Sequence, residues 1–150
     1  MTYWLMKSEP DAFSIDNLKA AGRTSWDGVR NYQARNMMRD EMKKGDLAFF
    51  YHSNCKEPGI VGIMEIVREA YPDNTEVGLQ GKKLKINVDP ENPTWFMVDV
   101  EYKSKLKRNI CLTELKGHEV LGEMLLLRRG NRLSITPITV NQWEFILGLE

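Results

Sequence analysis

The sequence predicts an α+β domain in which a mostly antiparallel sheet of five to six strands, curved or partly closed into a barrel, carries flanking short helices. Three observations lead there. The apolar runs that read as strands do not alternate regularly with helices, and their separations are too irregular for a doubly wound parallel sheet. Residues 95–103, WFMVDVEYK, alternate cleanly, with Phe96, Val98, Val100 and Tyr102 on one face and Met97, Asp99, Glu101 and Lys103 on the other. One face is therefore core and the other solvent. Helix signals are short and individually capped.

The elements follow in chain order. TYWLM (2–6) is a strand that ends at KSEP, where Pro10 interrupts any ladder. Ser14 caps a helix over IDNLKAA, and Gly22 closes it. Asn31 caps a second helix through YQARNMMRDEMKK, stopped by Gly45. DLAFFYHS (46–53) and IVGIMEIVREAY (60–71) are strands joined by a loop with Pro58 and Gly59, the second apolar enough to be central. Residues 71–93 are rich in turn formers, with a weak strand near Lys85–Val88. LTELK and HEVLGEMLL suggest short helices, and RLSIT (132–136) a further strand. Thr139 and Gln142 form a capping box for a last helix whose apolar stripe is Val140, Trp143, Ile146 and Leu147. Trp4, Trp95 and Trp143 belong to the core, and Met37, Met38 and Met42 sit at core spacing.

A chain of 150 residues buries a core without disulfide or metal staples. We read it as a single domain over 1–150. Its 21 Lys and Arg balance 21 Asp and Glu, which argues against coating nucleic acid by bulk charge. Basic residues gather locally, at Lys103/Lys105/Lys107/Arg108 and at Arg128/Arg129/Arg132. Cys55 and Cys111 stand apart, with no CxxC, and fit a reducing compartment. The start, MTYWLMKSEP, lacks the basic and apolar regions of a signal peptide, and no apolar run approaches the roughly 20 residues that span a bilayer. These features set the expectation of an intracellular protein that does not engage membranes.

Catalytic signatures are missing: no GxSxG elbow, no GxxxxGK[ST] loop, no GxGxxG after a strand. His52, His118, Cys55 and Cys111 lack zinc-site spacing, and the HxE…PCxxC pattern of the zinc deaminases is absent. No catalytic residue, metal or cofactor is assigned.

What the chain does hold is a set of flat, hydrogen-bonding and cationic side chains in MKSEP (6–10), SWDGVRNYQARN (25–36) and FFYHS (49–53). An indole such as Trp26 stacks on a base for about 1–3 kcal/mol. Asn and Ser side chains and backbone groups in these stretches can pair with the edge of a base flipped out of its stack. Lys7, Arg30 and Arg35 can hold flanking phosphates. Such a site grips one base without bulk positive charge. Blander readings stand beside it: Asn31 as a plain helix cap, Arg35 paired with Asp27 or Glu41, Trp26 as core.

At these residues the chain closely resembles the EVE domain family, thymocyte nuclear protein type included. The matching pieces are YWLMKSEP, WDGVRNYQARN, GDLAFFYHS, VGIMEIV, YPD, WFMVDV and LLRRGNRLSITPIT, in order along nearly the whole chain. The resemblance implies a PUA-like β-barrel similar to YTH domains. It also implies a pocket for a modified base, either methylated or hydroxymethylated cytosine in DNA or a modified base in RNA. The resemblance further implies that Lys7 and Ser8 reach the site from the end of the first strand, that Trp26 is the stacking wall, that Arg30, Asn31 and Tyr32 line the pocket with His52 and Ser53 as its floor or rim, and that Arg132 joins the phosphate contacts. The compact start resembles bacterial members, which implies a cytoplasmic setting, with nucleoid or cytosol ahead of a eukaryotic nucleus. Two other readings remain open: an enzyme acting on a nucleotide or nucleobase in the same pocket, with His52 as its general base, and a protein-interaction module.

Overall fold

The computed structural model describes residues 1–75, 83–87, 89 and 91–150. Six strands form one sheet: β1 (Tyr3–Ser8), β2 (Arg23–Trp26), β3 (Leu47–His52), β4 (Gly59–Pro72), β5 (Phe96–Cys111) and β6 (Ile135–Ile138). Their order is β2-β5-β4-β3-β1-β6. Only β1 and β3 run parallel; the other neighbouring pairs are antiparallel. The fold is thus α+β with a mostly antiparallel six-stranded sheet, as the sequence predicts, but the barrel does not close. β2 and β6 are the two edges, and they do not pair with each other. The long central pair β4–β5 shifts register repeatedly along its length, and such bulges bend and coil a sheet. Each edge strand is only 4 residues long. The ladder therefore ends with a gap between them.

Helices cover both faces. α1 (Ile15–Ala21) carries the expected cap: Ser14 accepts from the Asn17 amide and Asn17 reaches back, completing a capping box, while Gly22 at φ 78° ends the helix. α2 (Tyr32–Asn36) is capped by the Asn31 side chain and runs into a π-helical turn, Met37–Glu41, instead of continuing as one α-helix. α3 (Leu112–Lys116) follows β5 directly. HEVLGEMLL yields two 3₁₀ turns, Glu119–Leu121 and Leu125–Leu127. α4 (Val140–Leu147) has the Thr139–Gln142 capping box.

Alternation along the strands sends successive side chains to two cores. Trp4, Met6, Ala48, Phe50, Met64, Val98 and Val100 pack with Ile15 and Leu18 of α1 and with Met38. Leu5, Phe49, Ile60, Leu106 and Ile110 pack on the other side with Leu115, Trp143 and Ile146. Trp143 stacks on Phe49 at 4.0 Å and on Tyr3 at 4.5 Å between ring centroids.

Two strands differ from expectation. Residues 23–26, for which the sequence predicts no strand, form β2, because Arg23–Trp26 line up against Val98–Glu101 of β5. β5 continues to Cys111 through SKLKRNIC, where Leu106 and Ile110 supply buried positions in an otherwise charged run. Of the weak strand expected near Lys85–Val88, residues 85–87 are irregular and Val88 lies outside the described residues.

Candidate functional site

The gap between the sheet edges is a cleft of ≈ 120 Å³. Trp26, the last residue of β2, and Ser134, just before β6, stand on its two sides, with Lys7 of β1 and the segment Asp27–Arg30 completing it. At about 30 Å³ per water it holds roughly four waters, the space of one planar ring.

Local chemistry explains the shape. Gly28 has φ 83°, a left-handed conformation that only glycine adopts cheaply. This turns the chain so that the Gly28 amide donates to Asp73 Oδ2 at 2.9 Å. Asp73 also accepts from the Thr75 amide and from Arg30 Nη1, each at 2.9 Å. Its side chain is fully buried. Burial pushes its carboxyl upward, but the Arg30, Gly28 and Thr75 hydrogen bonds together outweigh this and hold it below the ordinary range. Asp73 is thus the pin that fixes the 27–30 turn, although it lies more than forty residues away in sequence.

Trp26 is 4 % exposed, and Phe50 meets it edge-on at 5.5 Å. It is core and cleft wall at once, offering only a small part of its indole to the cleft. Lys7 lines the cleft half-buried, and burial lowers its ammonium from the usual value. Its amide donates to Ser134 O at 2.9 Å, tying β1 to the chain entering β6.

The other residues named from the sequence fall elsewhere. Arg30 Nε donates to Lys85 O at 2.7 Å while Nη1 holds Asp73, so its guanidinium is engaged internally, and its Cζ lies 5.3 Å over Trp95. Arg35 donates to Thr94 O at 2.7 Å and to Asn36 Oδ1 at 2.8 Å, not to Asp27 or Glu41. Tyr32 is 61 % exposed, leaning on Trp95 at 5.1 Å with Arg35 over its ring. Asn31 caps α2 through the Ala34 amide at 3.1 Å. Ser8 is buried and donates to Phe13 O at 2.6 Å. His52 Nε2 accepts from the Ile15 amide at 3.1 Å, which places the neutral ring's proton on Nδ1. Burial lowers its pKa, favouring that neutral form. Ser53 donates its amide to Ser8 O at 3.0 Å. Ser8, His52 and Ser53 form a structural cluster at the β1–β3 end and do not line the cleft.

Sequence reasoning missed Asp27, Gly28, Val29 and Ser134 as cleft residues. Three of them lie inside the WDGVRN motif, where the turn itself, and not only its large side chains, shapes the cleft.

Beside the cleft runs a larger groove of ≈ 490 Å³, lined by Asn31, Gln33, Arg128, Arg129 and Arg132 among others. The two concavities adjoin, because Arg30 and Ser134 line one and their neighbours Asn31 and Leu133 line the other. Among the described residues no group of three or more His, Cys, Asp or Glu could hold a metal ion, and no helix is long and apolar enough to cross a membrane.

An open mixed sheet with a ring-sized cleft between its edges defines a class of small α+β domain. The chain belongs to the EVE domain family, whose model matches residues 2–149. It is 48% identical to human thymocyte nuclear protein 1 over 99% of this chain and 74% of that protein. A Pseudomonas syringae protein superposes with TM-score 0.90 at 46% identity, covering 98% of each chain. Human THYN1 in complex with 5-methylcytosine-containing DNA superposes with TM-score 0.86 at 46% identity, covering 99% of this chain and 97% of that one.

These relatives overturn the expected cytoplasmic setting and the preference for a bacterial nucleoid or cytosol. Proteins named as nuclear, from human, chicken, zebrafish and mouse, match at 48–50% over 98–99% of this chain. The physical reason is that core and cleft residues answer to folding and binding, not to compartment, so a compact start does not distinguish bacterial from nuclear members.

Proposed function

We propose that this chain binds DNA carrying 5-methylcytosine by admitting the modified base, flipped from its stack, into the cleft between the sheet edges, and that it does so without turnover. The observation that carries the reading is the ring-sized cleft walled by Trp26, Lys7 and the Asp27–Arg30 turn, in a chain so similar to a human protein crystallised with such DNA. Lys7 supplies a donor to a base acceptor, and a carboxylate such as Asp27 is the natural acceptor for the exocyclic amino group of cytosine. Burying the added methyl contributes about 0.8 kcal/mol, roughly four-fold in affinity. Binding without chemistry is supported by His52, whose Nε2 is engaged with the Ile15 amide and which stands outside the cleft.

The test is a pair of titrations at fixed salt, using one oligonucleotide with 5-methylcytosine and its unmodified counterpart. Lys7→Met is compared with wild type; Trp26→Ala is a poor probe, because emptying so buried a site costs about 3–5 kcal/mol. Wild type should prefer the methylated strand by about four-fold or more, and Lys7→Met should weaken binding to both. Equal affinities in wild type would sink the reading.

A further inference from the structure

We propose that Lys7 makes the cleft a covalent trap for cytosine carrying an aldehyde at C5, holding 5-formylcytosine as a reversible imine where it holds 5-methylcytosine by contact alone. This rests on the reading of the cleft as a base pocket and extends it to a second class of base. Lys7 lines a cleft of ≈ 120 Å³, about the space of one planar ring, so no substituent of an admitted ring lies far from its amine. Its backbone is fixed near the end of β1. Lys7 is in register with Tyr51 of β3, and its amide donates to Ser134 O at 2.9 Å. The side chain therefore starts from a paired strand, and only its flexible stem adjusts to the base.

The surroundings favour the amine as a nucleophile. Among the described residues no carboxylate forms an ion pair with Lys7, so no counter-charge there holds it as an ammonium. Burial disfavours the charged form and lowers its pKa from the ordinary value, which raises the share of free amine at neutral pH. A lysine in such a setting forms Schiff bases with carbonyl groups. The Nζ lone pair attacks the aldehyde carbon, the C=O π pair moves to oxygen, and the resulting carbinolamine loses water to leave a C=N bond. Both amine protons depart with the aldehyde oxygen as that water, so nothing is oxidised or reduced. Hydrolysis reverses the step. Methyl and hydroxymethyl groups offer no such electrophilic carbon, so among C5 substituents the trap answers to the aldehyde.

The experiment incubates the protein with oligonucleotides carrying formylated, methylated or unmodified cytosine at one position. Cyanoborohydride is present to reduce any imine to a stable secondary amine. Intact mass reads the adduct, and peptide mapping reads its position. Wild type should give a single adduct with the formylated strand alone, mapped to Lys7 and suppressed by excess methylated strand. Lys7→Arg, which keeps the positive charge but offers no amine nucleophile, should lose most of it. No adduct from wild type, an adduct spread over exposed lysines such as Lys19 and Lys107, or full yield from Lys7→Arg overturns the proposal. The first two outcomes are read on wild type, so they hold whether or not the variant folds. Titrations of wild type with methylated and unmodified strands test the cleft reading separately. Equal affinities overturn that reading, whereas a methyl preference without trapping overturns only the covalent step.

Discussion

Asp73 shows how one residue shapes the cleft. A fully buried carboxylate is costly unless paired, and here it accepts from Arg30, Gly28 and Thr75, each at 2.9 Å. Asp73→Asn keeps the shape but leaves the Arg30 guanidinium without its counter-charge. Breaking such a pair costs about 3 kcal/mol, to be read as a lower urea midpoint at unchanged slope. The pH dependence follows from the direction of the shift. The folded carboxyl titrates below its unfolded value of about 3.9, so its stabilisation is complete above that value and is lost as pH falls through the folded one. The gap between wild type and Asp73→Asn should therefore narrow below about pH 4. A gap that persists unchanged in acid would contradict the role given to Asp73. Trp26 carries a different lesson: flanked by Ser25, Asp27 and Gly28 it looks like surface, yet its strand pairing with Val98 drives it into the core.

At the scale of elements, the central pair β4–β5 decides whether the sheet curves as it does. Gly62 sits where their register shifts, and an added Cβ would lie 2.4 Å from Ile15 Cδ1 and 2.9 Å from Ser104 O. One of these neighbours is a fully buried side chain and the other is backbone, so neither yields cheaply. Gly62→Ala should lower Tm by about 5 °C, measured by calorimetry; an unchanged Tm would mean that α1 and β5 do not approach β4 so closely. The same elements show what a sequence discloses. Ser14, Asn31, Thr139 and Gln142 cap their helices as read, because a cap is chemistry within three residues. The short β2 and the charged half of β5 went unread, because their strand character comes from partners far along the chain. For the same reason the sequence does not show that Arg30 is held by Asp73 and by Lys85 O, both more than forty residues away. Of the expected site, Lys7 and Trp26 meet at the cleft, while His52 accepts from the first amide of α1, Ser8 donates to Phe13 O ahead of that helix, and Ser53 ties the end of β3 to Ser8.

For the whole molecule, a balanced net charge and an open sheet fit together. Six strands leave a gap that a closed ladder would have filled, and the gap is the cleft. Beside it, Arg128, Arg129 and Arg132 gather positive charge locally along the adjoining groove. A cleft of this size accepts a single ring, so a base in a duplex must leave its stack to enter, at a cost of a few kcal/mol. Base extrusion is thus the central claim, and it is directly visible. 2-Aminopurine placed next to 5-methylcytosine in a duplex is quenched by stacking and brightens when its neighbour departs. Titrating that duplex with the protein should raise the fluorescence in step with binding, and less so for an unmethylated duplex at equal protein. Saturable binding with fluorescence that stays at the free-duplex level would contradict the account.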